Sequence, residues 1–123
     1  MAKSQADQFP SDAEVDQFLM LSKLMEAVYE EMKDFSKKKP DEPLNKFKVK
    51  NINRVLLQVK DMLKSQPTSQ FLDLLNDESL PTNSDAILVI GQFNAAMESF
   101  RARYTNEYRR WKTKENPSAA NRQ

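Results

Sequence analysis

The residues of this chain able to do chemistry are acids, bases and aromatic rings. It has no His and no Cys. That rules out thiolate nucleophiles, disulfides, zinc–thiolate sites and imidazole proton transfer. The richest stretch is Arg101–Lys114, where Arg101, Arg103, Arg109, Arg110, Lys112 and Lys114 alternate with Tyr104, Tyr108 and Trp111. Cations that meet phosphates and rings that stack on bases are the means of nucleic-acid recognition. Arg combined with Tyr and Trp is equally the composition of hot spots at protein interfaces. A second basic cluster, Lys46, Lys48, Lys50 and Arg54, either extends a phosphate-binding surface or pairs with a neighbouring acidic helix.

The remaining chemistries fail on composition. Glu30, Glu31 and Asp34 form one carboxylate group, and Asp73, Asp77 and Glu78 another, each spaced to share a helix face. Carboxylate metal sites in helical bundles combine Glu with a Glu-x-x-His pair, which this chain lacks. The first group also falls opposite the apolar run Val28, Met32 and Phe35, so a solvated face is expected and no metal. Small helical nucleases work through an Arg and a His. Arg101, Arg103, Asn106, Arg109 and Arg110 supply the first without the second. Ser79, Ser84 and Ser99 have no base beside them. The single glycine, Gly91, excludes Gly-rich phosphate loops. No enzyme, cofactor or small-molecule substrate is expected.

The elements that carry these residues read as helices. Ser11 and Glu14 form a Ser-x-x-Glu capping box. After it, Phe18, Leu21, Met25, Val28, Met32 and Phe35 recur at alternating steps of three and four, the seam of helix-on-helix packing. This first helix is expected to end near Lys37, before Pro40. A second helix, Leu44–Ser65, follows from Val49, Ile52, Leu56, Val59 and Leu63, with Asp41 as its expected cap. The alternation in Lys46–Lys50 is strand-like, but the longer period overrides it. A short third helix, Gln70–Asn76, is expected to bury Phe71, Leu74 and Leu75. Thr82 and Asp85 open the last helix, expected over Asn83–Glu115 along Ala86, Ile90, Phe93, Met97, Phe100 and Tyr104, and continuing to Tyr108 and Trp111. At that length it spans roughly 48 Å and overhangs its neighbours. Gly91 within it implies a kink or the close approach of another backbone.

The net charge of +1 conceals segregation. Acids dominate from Ser11 to Asp34, bases from Lys37 to Lys64, acids from Asp73 to Asp85 and bases from Arg101 to Glu115. This alternation is read as oppositely charged helices lying side by side.

The resulting expectation is an all-α protein, an antiparallel bundle of three long helices plus one short helix, with a long C-terminal helix. Residues 11–116 form one domain, residues 1–10 a flexible N-terminal segment and residues 117–123 a disordered tail. The core is expected around Phe18, Met25, Val28, Ile52, Val59, Ile90, Phe93 and Met97. Neither a signal peptide nor a membrane-spanning run is read, so a cytoplasmic protein is expected. The expected function is a non-enzymatic protein–protein interaction module that self-associates or docks on a larger partner. Its interface is placed at Tyr104, Tyr108, Trp111, Arg101, Arg109 and Arg110. The alternative is a nucleic-acid-binding or nucleoprotein accessory protein contacting phosphate through Lys46, Lys48, Lys50, Arg54, Arg103, Lys112 and Lys114. Aromatics on an overhanging helix need a cover. The competing cover is the chain's own N-terminal segment, with Phe9 folded back over the rings.

Overall fold

The computed structural model describes residues 8–120, and these are mostly helical with no strand among them. The three helices are α1 (Asp12–Lys38), α2 (Lys46–Met62) and α3 (Asn83–Tyr104). Both expected capping boxes form. The Ser11 hydroxyl accepts from the Glu14 N–H while the Glu14 carboxylate accepts from the Ser11 N–H, and Thr82 and Asp85 repeat the arrangement. Each box satisfies two N–H groups that the helix itself leaves without partners. The second helix starts on Asn45, whose side chain accepts from the Lys48 N–H at 2.8 Å, and not on Asp41.

The heptad-like seams meet in one core. Phe18, Met25, Ile52, Val59, Ile90, Phe93 and Met97 are buried, and Val28 is partly buried. The loop after α1 is closed by α3: the Asn83 side chain donates to the Lys39 carbonyl at 2.9 Å, and the Ser84 N–H to that of Pro40 at 3.0 Å. Asn83 is buried for this reason, its amide replacing water for a carbonyl at the end of α1.

The arrangement of three long helices plus one short helix needs correction. In place of a third α-helix there is a 3-10 turn, Pro67–Phe71, followed by extended chain. So short a run cannot offset the cost of nucleating an α-helix, and Pro67 starts the tighter turn at its first position. Leu72 and Leu75 are buried, while Phe71 is 64% exposed and Leu74 points outward. Asn53 of α2 holds the extended segment: its side chain both donates to the Leu75 carbonyl and accepts from the Leu75 N–H, each at 2.9 Å.

The last helix is shorter than its apolar period implies. It stops at Tyr104, and no overhang exists. Thr105 turns its hydroxyl back to the Arg101 carbonyl at 2.7 Å, and the Asn106 side chain accepts from the N–H groups of Tyr108 and Arg110. Such side chains offer the backbone an alternative to the helical ladder. Arg109 adopts a left-handed conformation (φ 62°), and the chain reverses so that Thr105 and Trp111 bridge antiparallel. Gly91 has nothing within 4 Å of where a Cβ would sit, so no backbone approaches it.

The ends of the described chain meet. The Lys114 N–H donates to the Pro10 carbonyl at 3.0 Å, and the Asp12 N–H to the Glu115 carboxylate at 3.0 Å. Phe9, Pro10 and Ala119 are buried, and Asn116 is bonded to Thr113 and Ala120. Residues 8–10 and 117–120 therefore pack on the bundle rather than standing free of it. The remainder of the expected flexible segment and tail, residues 1–7 and 121–123, lies outside the described residues. Among the described residues no helix is long and apolar enough to cross a membrane.

Candidate functional site

The basic, aromatic C-terminal stretch divides in the structure into a packed part and a displayed part. Phe18 of α1 stacks on Phe100 of α3, with ring centroids 5.2 Å apart. Trp111 meets Phe18 edge-on at 5.1 Å and lies 6.1 Å from Phe100. Tyr104 sits 4.9 Å from Phe100, and Phe9 meets it edge-on at 6.2 Å. Offset and edge-to-face geometries at these distances are the favourable ones for aromatic pairs. Tyr104 is buried within a single chain and so is not displayed to a partner, while Trp111 is half-buried and displayed only in part. The cover comes from both ends of the chain: Phe9 folds back as the competing reading required, and Trp111 folds back as well.

Arg101 belongs to the same packed end. Its guanidinium lies over Phe18 at 5.2 Å and over Trp111 at 5.9 Å. Its Nε is 3.3 Å from the Glu98 carboxylate, but too poorly aligned for a hydrogen bond. Arg101 acts as a lid on the rings, a cation held over π faces. Arg103 lies 5.6 Å over Tyr104, and Lys112 5.6 Å over Phe9. What remains displayed is the loop tip, with Tyr108 72% exposed, Arg110 at 5.8 Å over its ring, and Arg109 beside it in the left-handed turn.

The second basic cluster lies elsewhere. Lys46, Lys50 and Arg54 are exposed at four-residue intervals, forming one stripe along α2. Lys48 differs from them: its Nζ sits 4.2 Å over the Phe35 ring, joining α2 to the C-terminal part of α1. Lys114 is exposed near the chain ends. Because α2 runs from Phe35 toward the Phe9–Tyr104 end, the two basic clusters occupy opposite halves of the molecule. They do not form one continuous phosphate-binding surface.

The charge segregation does not resolve into pairing between helices. The ion pairs among the described residues are local: Lys38–Asp34, Lys39–Glu42, Lys64–Asp61 and Arg101–Glu98, all three or four residues apart. Exposed pairs of this kind contribute well under ~1 kcal/mol each. The helices are held by apolar burial, and their charges face outward.

One surface was not singled out from the sequence. Three helices make three grooves. The chain between α2 and α3 lies along α2 through Asn53 and packs its 3-10 turn on α3. The α1–α3 groove is closed at one end by the Phe18–Phe100 stack and Trp111, and further along Ser22, Glu26 and Tyr29 of α1 with Asn94, Met97, Glu98 and Arg101 of α3 line a cavity of about 300 Å³. No described segment covers the third groove, between α1 and α2. Val28, Met32 and Phe35 of α1 with Phe47, Lys48, Asn51 and Ile52 of α2 line a cavity of about 340 Å³ there. Leu21 and Leu24 with Asn51, Arg54, Val55 and Gln58 line its continuation, about 240 Å³. Phe47 is 76% exposed and Leu24 45% exposed on this face. The available signal was Phe47 itself, an aromatic out of phase with the Val49–Ile52–Leu56 seam.

Among the described residues no three Asp or Glu side chains gather to hold a metal ion. No family model, curated protein or solved structure matches this chain.

Proposed function

We propose that this protein is a non-enzymatic protein–protein interaction module whose docking face is the uncovered α1–α2 groove. The observation that carries this reading is Phe47, a large ring left mostly in solvent at the rim of an apolar groove, whereas the cavity between α1 and α3 is lined mostly by polar side chains. An apolar face rimmed by polar side chains marks an interaction site, and a groove between two helices suits a docking helix. The reading moves the interface away from Tyr104, which is buried, and Trp111, which packs half-buried against the core, and leaves Tyr108, Arg109 and Arg110 as a separate, secondary surface.

Phe47→Glu tests it, because the exposed position lets the fold survive the charge. Immobilised parent protein is expected to retain its partner through a wash at about 0.5 M salt, since apolar contact withstands salt that breaks phosphate contacts. The Phe47→Glu variant is expected to lose that partner. Retention by the variant equal to that of the parent overturns the reading.

A second reading, nucleic-acid binding, is favoured by the displayed Tyr108–Arg110 tip, where a ring and two guanidiniums stand free of the core. It requires retention that falls steeply with salt and is lost in an Arg109→Glu, Arg110→Glu variant.

A further inference from the structure

We infer that the cavity where the chain ends meet the C-terminal ends of α2 and α3 binds a small oxyanion, a carboxylate or a phosphate, carried on a short apolar stem. The site shares no residue with the α1–α2 groove and stands independently of it.

The cavity forms because α2 and α3 stop beside the folded-back chain ends. Met62 and Gln66 come from the end of α2 and the turn after it, Arg103 and Tyr104 from the last turn of α3. Phe9, Pro10 and Lys114 complete it, tied together by the Lys114 N–H donating to the Pro10 carbonyl at 3.0 Å. Its volume is about 400 Å³. Pockets for small ligands start at ~300 Å³, and a benzene ring needs only ~150 Å³.

The polar lining is rich in donors and poor in acceptors. A guanidinium can only donate, and that of Arg103 meets Gln66 Oε1 at 3.4 Å. This contact fixes the orientation of the amide. Gln66 Nε2 is thereby turned to the Tyr104 hydroxyl and donates to its oxygen at 3.3 Å. A tyrosine hydroxyl that accepts still has its own proton to donate, and no acceptor takes that proton among the described residues. Tyr104 is only 6% exposed, and a buried donor is rarely left without a partner.

Charge points the same way. Neither Arg103 nor Lys114 makes an ion pair among the described residues. Lys112 adds a third cation, its Nζ 5.6 Å from the Phe9 ring. Glu14 is the one carboxylate on the lining, and it is turned to the Ser11 N–H at 3.1 Å to cap α1. What the cavity lacks is negative charge spread over several acceptor oxygens. Carboxylate and phosphate supply both, and the planar fork of Arg matches their geometry. The apolar part of the lining, Phe9, Met62 and Phe100, sets the stem: a ring or short alkyl group covers it, and a bare ion does not.

An NMR titration of the full chain with benzoate, phenyl phosphate, acetate and inorganic phosphate tests the inference. Benzoate or phenyl phosphate is expected to shift the amides of Gln66, Tyr104 and Lys114 saturably, with a Kd on the order of 0.1–1 mM. Acetate and inorganic phosphate are expected to bind at least about tenfold more weakly, having no stem to bury. Saturation by benzoate alone assigns a carboxylate as the head group, and by phenyl phosphate alone a phosphate; either supports the site. Arg103→Gln, at an exposed position, is expected to weaken binding about tenfold or more. Tyr104→Phe keeps the ring and removes the proton, and is expected to weaken it about three- to tenfold. Should that variant lose its helical circular dichroism, Lys114→Gln, also exposed, takes its place with an expected loss of about two- to fivefold. Arg110→Gln at the loop tip removes the same charge as Arg103→Gln and is expected to leave binding unchanged. No saturable shift with either aromatic anion at about 10 mM overturns the site. Shifts confined to residues away from the cavity, or equal weakening by Arg103→Gln and Arg110→Gln, overturn the assignment and reduce the binding to general attraction between charges.

Discussion

Replacing Trp111 by Ala separates a packed C-terminal segment from a displayed one. The indole is half-buried and reaches three neighbours: Phe18 edge-on at 5.1 Å, Phe100 at 6.1 Å and the Arg101 guanidinium at 5.9 Å. Half of a Trp surface is on the order of 100 Å², which at ~25 cal/mol per Å² gives about 2.5 kcal/mol of lost burial. The aromatic pairs and the cation–π contact add about 0.5–1 kcal/mol each but overlap with that area, and they are not additive. The expected loss is therefore about 3 kcal/mol, a large part of the ~5–15 kcal/mol that holds a domain of this size. Urea denaturation followed by circular dichroism reads the loss directly. In the parent, Trp111 is the only tryptophan, so its fluorescence is expected to shift to the red in the same transition as the helical signal. A loss below ~1 kcal/mol, or a fluorescence change that precedes helix melting, refutes the reasoning: the segment after Tyr104 would then be detached from the bundle.

Phe93→Ala empties a fully buried site in α3 and is expected to cost ~3–5 kcal/mol in the same assay. Gly91→Ala is expected to stabilise by ~0.5–1 kcal/mol, because the helix gains a better former and the added Cβ meets nothing within 4 Å; a destabilised variant would contradict that open space. Asn53→Ala removes both bonds to the Leu75 backbone and is expected to cost about 1–3 kcal/mol, with the Leu75 amide losing exchange protection before the helices do.

The fold was legible where local signals agreed with packing. Ser11–Glu14 and Thr82–Asp85 mark two helix starts, and the periods of α1 and α2 reach into the core as spaced. The end of α3 was not legible because periodicity alone does not stop a helix. Phe100, Tyr104, Tyr108 and Trp111 keep the step of three or four, and neither Gly nor Pro interrupts them. The interruption is made by Thr105 and Asn106, whose side chains satisfy turn backbone in place of the helical ladder. One local competition thus converts an imagined overhang into a lid on Phe18 and Phe100. The short element after Pro67 was misread for a related reason. Leu74 and Leu75 look helical in spacing, yet Asn53 on another helix fixes that backbone in extended form, and a contact between distant residues leaves no local signature. The docking face was obscured by a strand-like run. Phe47 lies in Lys46–Lys50, and once the run is helical its ring leaves the seam and faces solvent.

The central claim, that the α1–α2 face is where this protein meets its partner, is tested most directly by amide hydrogen exchange on the full chain. Exchange is compared between dilute protein and protein in its associated state, whether self-associated at high concentration or bound to a protein it retains through high salt. The account predicts added protection along both walls of the groove, from Met20 to Glu31 and from Phe47 to Gln58, with the loop from Thr105 to Lys112 unchanged. Protection confined to that loop, with the groove exchanging as in the dilute chain, contradicts the account and makes the Tyr108–Arg110 tip the functional surface.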